Sequence, residues 1–145
     1  MKRAGFTMIE LIFVIVILGI LAAVAIPKLA ATRTDAEVSK AASDLATVVS
    51  DIGAYYTSQG TFADLVVMTN VADFDDTAVG AADAETANFQ VGGEDCVLLT
   101  FNNVSDGNVT LSDVASPSTA ACIGLQAVSN DLIKEQNFGG TGVTY

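Results

Sequence analysis

Few residues in this chain have both the type and the spacing to do chemistry. One is Glu10, a carboxylate set inside an apolar run that extends from Phe6 to Ile26 with no other charge. In that setting a carboxylate can hold a cation, because opposite charges attract strongly in low dielectric and each relieves the other's lost hydration. Two more are Cys96 and Cys122, an even count that reads as one disulfide in an oxidising compartment. The alternatives for the pair are two buried free thiols or a metal pair, the latter weakened because the chain contains no histidine. The last group is Asp73, Asp75 and Asp76, oxygen ligands of the kind calcium takes from flexible loops. They do not fit EF-hand spacing, since no glycine follows at the turn position, and a solvated acidic loop is the simpler reading.

Absences narrow the field. Without histidine there is neither the usual general base nor the commonest metal ligand, so Ser-His and Cys-His nucleophilic chemistry is excluded and no enzyme is expected. The formal net charge is −11, and after Lys40 a single basic residue, Lys134, faces fourteen acidic ones. Such a surface repels phosphate, so nucleic acid is not an expected partner. No cofactor is expected beyond the calcium alternative. The 145 residues allow one domain outside the apolar segment.

The element that carries Glu10 is the apolar run itself. At about 1.5 Å per residue it is roughly 31 Å long as a helix, close to the ~30 Å hydrocarbon thickness of a bilayer. Lys2 and Arg3 precede it, which puts the N-terminus in the cytoplasm and the rest of the chain outside. A cleavable secretory signal would share these features, and Ala23 and Ala25 supply an Ala-x-Ala match. Against it, Glu10 interrupts what should be an unbroken apolar region, and helical periodicity continues past Pro27.

The segment Gly5-Phe6-Thr7-Met8-Ile9-Glu10, after a short basic leader, resembles the cleavage and methylation motif of type IV pilins and type II secretion pseudopilins. The resemblance runs from Lys2 to roughly Thr34 and includes Gly19 and Pro27; beyond residue 60 it is one of general layout. It implies cleavage by a prepilin peptidase between Gly5 and Phe6, N-methylation of Phe6, and pairing of Glu10 with the Phe6 amine of a neighbouring or the same subunit. It also implies assembly through the apolar helix, by an inner-membrane platform and ATPase. The cysteine pair is similar to the C-terminal disulfide loop of many pilins, which the major pseudopilins often lack. Those pseudopilins bind calcium as a group, which keeps the aspartates of interest.

The expected fold is α+β: a long N-terminal helix kinked at Pro27, with its C-terminal half packed on a small antiparallel sheet. The expected divisions are a leader, 1–5; a membrane or filament-core helix, 6–27; an amphipathic half, 28–59; and a head, 60–145. In the amphipathic half Val38, Ala41, Ala42, Leu45, Val48, Val49, Ile52, Tyr55 and Tyr56 recur at three- and four-residue spacing. Asp35, Ser39, Ser43, Thr47 and Ser50 fall on the other side, and Ser58-Gln59-Gly60 reads as a stop. Residues 60–88 form an acidic connecting loop. Strand signals follow at 89–91, 96–101 and 109–111, divided by Gly92-Gly93 and by Ser105-Asp106-Gly107-Asn108. Residues 121–127 read as a strand or the start of a short helix reaching Ile133, and 137–145 as an edge strand or irregular cap.

Three functions are weighed: the subunit of a helical cell-surface filament, foremost a type IV pilus pilin; a pseudopilin of a type II secretion system; and a membrane-anchored calcium- or ligand-binding module. The third has no use for Gly5-Phe6 or Glu10. Before assembly the chain is expected in the bacterial inner membrane with membrane lipid around its helix, and afterwards in a surface pilus or periplasmic pseudopilus. Adhesion, motility and secretion are properties of the assembled system.

Overall fold

The computed structural model describes residues 5–139. Lys2 and Arg3 of the basic leader, and residues 140–145 of the tail, lie outside the described residues. The first helix, α1, runs over Met8–Gln59, 52 residues with Pro27 inside it. Proline removes one backbone hydrogen bond and crowds the preceding turn, yet helical backbone continues on both sides of it. Gly60 ends the helix in the left-handed region, φ 75°, and donates its N–H to the Tyr56 carbonyl, 2.7 Å. A residue without Cβ adopts that conformation without steric cost, as the stop signal requires.

The chain divides into two compact units, Met1–Thr34 and Asp35–Tyr145. In the first, every described residue as far as Arg33 is exposed, including Phe13, Leu18, Leu21 and Leu29. Among the described residues of this unit, nothing covers the apolar surface.

The second unit is built on the rest of α1. Four antiparallel strands follow one another across a sheet in the order β1 (Glu85–Val91), β2 (Glu94–Asn103), β3 (Asn108–Asp113), β4 (Glu135–Asn137). The expected meander is present, with β2 and β3 longer at both ends than the apolar cores that announced them and β1 longer at its start. Alternation assigns the faces: Ala87, Phe89 and Val91 of β1, and Val109 and Leu111 of β3, point inward. They share one core with Val97, Leu99 and Phe101 of β2, and with Ala41, Leu45, Val48, Ile52 and Tyr56 of α1. These are the expected face of the amphipathic half, and Asp35, Ser39, Ser43, Thr47 and Ser50 are all exposed. Burying each large side chain contributes about 1.5–3 kcal/mol, which is what holds α1 to the sheet.

Two short helices complete the unit. α2 is a single turn, Leu65–Met68, inside the acidic segment read as loop. It forms because Leu65 and Met68 reach the core while Val66 and Val67 remain exposed. α3 occupies Ala120–Val128 and decides the strand-or-helix alternative for 121–127 in favour of helix, ending before Ile133. An edge strand, β4, lies at Glu135–Asn137 and shares only Asn137 with the stretch read as an edge strand or irregular cap.

Candidate functional site

At the start of α1 the backbone of Gly5, Phe6 and Thr7 is non-helical and exposed, Phe6 to 87%. Thr7 closes the helix N-terminus. Its N–H and its hydroxyl both donate to Glu10 Oε2, at 2.8 and 2.6 Å, and the Glu10 N–H donates back to Thr7 Oγ1 at 3.4 Å. This reciprocal arrangement is a capping box, in which side chains satisfy N–H groups that a helix leaves unpaired. The Thr-x-x-Glu spacing that encodes it is legible in the sequence, but the reading of Glu10 as a long-range ion-pair partner passed over it. Both of these Thr7 contacts to the carboxylate are made by Oε2. Beyond it, α1 is the one helix among the described residues long and apolar enough to cross a membrane.

In the second unit Cys96 and Cys122 are joined as a disulfide, Cα–Cα 5.4 Å, with both residues fully buried. The bond ties the start of β2 to the first turn of α3. Glu94 fastens the same two elements beside it. Its carboxylate accepts from the Ser118 N–H and hydroxyl and from the Thr119 N–H, 2.9 Å, and hydroxyl. The Ser118 and Thr119 hydroxyls lead, with their amides adding, in holding the Glu94 carboxyl down to about 2. Thr119 is also the N-cap of α3, accepting from the Cys122 N–H at 3.2 Å. Sequence reading missed Glu94 because its partners lie 24 and 25 residues away.

The three aspartates face different ways. Asp73 accepts from Lys40 Nζ at 2.8 Å, and Lys40 also reaches Asp44 at 2.7 Å, so α1 pins the loop by a bridged cation. Hydrogen bonding to those two carboxylates raises the lysine above its ordinary range. Asp75 accepts from the Asn88 amide and side chain, 2.6 and 2.9 Å, against the edge of β1. Partial burial acts to raise the Asp75 carboxyl, but the Asn88 and Asp76 donors together leave it lowered. Asp76 turns back to the Ala78 N–H at 2.9 Å. Each carboxylate is engaged with protein donors, and the three do not gather as a metal-ligand group among the described residues. The group that does gather is Glu94, Cys96 and Cys122, whose sulfurs are already bonded to one another.

An apolar helix opened by a Thr-Glu cap, with an exposed Gly-Phe before it, precedes the disulfide-closed head. Residues 1–26 match the family described as prokaryotic N-terminal methylation motif. The matched stretch holds Gly5, Phe6 and Glu10, so the chain carries a prepilin-type N-methylation motif at its start. It is 39% identical over 54 residues to type II secretion system core protein G of Dickeya chrysanthemi. That stretch is 37% of this chain and 35% of the relative, so the chain spans about a third of the curated relative it matches. No solved structure matches the chain.

Proposed function

We propose that this chain is the building subunit of a helical filament, a type IV pilus pilin, drawn from the inner membrane into the fibre by its apolar helix. One observation carries the reading. The second unit buries its own core, whereas the helix from Met8 to Leu29 exposes apolar side chains around its whole circumference. Only lipid or copies of the same helix can cover such a surface, and repeated head-to-tail contacts that do not close generate a fibre.

Processing supplies the partner for Glu10. Cleavage between Gly5 and Phe6 converts the Phe6 nitrogen from a peptide group into an amine, methylated but still basic. The Thr7 cap keeps the carboxylate folded against the helix start while the subunit waits in lipid. A neighbour's Phe6 amine then pairs with it, and the pair sets the register of subunits, since an unmatched charge in the fibre core is costly. The acidic head faces solvent, and the disulfide hardens it outside the cell.

A second reading, the pseudopilin of a type II secretion system, is favoured by the name of the relative. The similarity is short, however, and the apolar helix and its motif are common to both kinds of fibre.

Mass spectrometry on filaments sheared from the cell surface, beside the washed membranes, tests both. A sheared-fraction peptide beginning at N-methylated Phe6 is expected. The same terminus found only in membranes favours the pseudopilin, and an intact leader or a cut near Ala25 overturns the assignment. Glu10→Ala is expected to give processed subunits that stay in the membrane; normal fibres from it would remove the register argument.

A further inference from the structure

The β2–β3 turn and its flanks hold two triplets of the Asn-x-Ser/Thr type, Asn103-Val104-Ser105 and Asn108-Val109-Thr110. In an exported chain this pattern marks acceptors for sugar on the asparagine amide. The two are not equivalent. Asn103 is used by the turn: its carbonyl accepts from the Ser105 and Asp106 amides, both at 3.1 Å, and its amide donates to Asp106 at 3.0 Å. Asn108 opens β3, where Val109 and Leu111 are buried and Asn108 and Thr110 lie on the opposite face, away from the core. A substituent there projects outward and leaves the packing on α1 untouched. Asp106 precedes Asn108 by two residues, adding a carboxylate that a basic transferase site can grip.

We propose that Asn108 is an N-glycosylation site. The inference rests on the reading above that residues beyond the apolar helix are exported. In the reaction Asn108 Nδ2 attacks the anomeric carbon of an oligosaccharide carried on a polyprenyl diphosphate. A C–N bond forms, the C–O bond to the diphosphate breaks, and the amide proton leaves with the lipid-diphosphate product; nothing is oxidised or reduced. The folded head sets the timing. Both hydrogens of Nδ2 are donated there, to Glu135 and, at 2.7 Å, to Asn137 of β4, so the acceptor is open only before β4 docks. Asn108 emerges ahead of Cys122 and of β4, giving a window before the disulfide closes around it. After transfer one N–H remains, enough to keep one of the two bonds.

The test uses the full chain purified from cells that make it, digested with chymotrypsin, with fragmentation that localises the modification. The expected result is a glycan mass on Asn108, lost in Asn108→Gln and in Thr110→Ala and retained in Thr110→Ser, which keeps the hydroxyl with little change in fold. A bare Asn108 in the unaltered chain overturns the proposal. So does a glycan that survives Thr110→Ala, or sugar found on serine or threonine oxygens while Asn108 is unmodified. The terminal peptide in the same digest separates the two inferences: a chain processed at Phe6 with a bare Asn108 sinks the glycosylation alone, while an uncut leader on a chain glycosylated at Asn108 sinks the filament assignment alone.

Discussion

Glu94 shows how one carboxylate at a chain reversal can matter more than a cluster of them. Four donors from two consecutive residues converge on it, whereas Asp73, Asp75 and Asp76 are shared out among separate partners. Its folded value of about 2 lies below the ordinary 4.5, so its contribution to stability is complete above the ordinary value. That contribution is lost as pH falls through the interval toward 2. Thermal melts of the unaltered chain and of Glu94→Gln, followed from pH 7 to pH 2, should therefore differ most at neutral pH and converge in acid. A gap that stays constant with pH would mean that the side chain acts through shape and not through charge. The contact was hidden in the sequence because glutamate, serine and threonine are ordinary surface residues. Only the pairing of β2 with the approach to α3 brings them together. Glu10 is the opposite case: a carboxylate in an apolar run announces itself, and its local partner Thr7 stands three residues away.

At the scale of elements, legibility followed length. The inner face of α1 could be read because nine apolar residues repeat with helical period over five turns, and each turned out to be buried or half-buried. The strand cores could be read from alternation between glycine-containing turns. α2 and β4 could not, since four and three residues hold about one period of their pattern and owe their form to neighbours. β4 exists because Asn108, Val109 and Thr110 of β3 offer it partners. The consequence for stability is a division of labour. Leu45, fully buried where α1 meets the sheet, should cost about 2–5 kcal/mol when cut to alanine, through lost burial and the cavity left behind. Val66→Ala on the exposed side of α2 should change stability by less than about 0.5 kcal/mol. Chemical denaturation in detergent checks both, and equal effects would mean that α2 is covered in solution.

For the whole molecule, one covalent bond and one charge balance stand out. The Cys96–Cys122 link spans 26 residues of chain, and closing such a loop stabilises by about 3–4 kcal/mol in the chain-entropy account. Replacing both cysteines by serine should lower the denaturation midpoint accordingly. The loss should be nearly absent when the unaltered chain is compared under strong reductant, and a difference that persisted there would point to packing of the sulfurs. With the proposed cleavage, loss of Lys2 and Arg3 would make the net charge of −11 two units more negative, so heads would repel one another wherever they crowd.

The same bond also decides which joints of the subunit are fastened. The ring it closes holds the remainder of β2, all of β3 and the approach to α3, and leaves α1, β1 and β4 outside it. In the proposed fibre, tension would load each copy of the chain through α1, and α1 is held to the sheet by side chains such as Leu45, Val48 and Ile52 without a covalent tie. Under a pull the seam between helix and sheet would part first, while the ringed strands kept their shape. The subunit has the mechanics of a rivet whose head is welded and whose shank is only pressed into place.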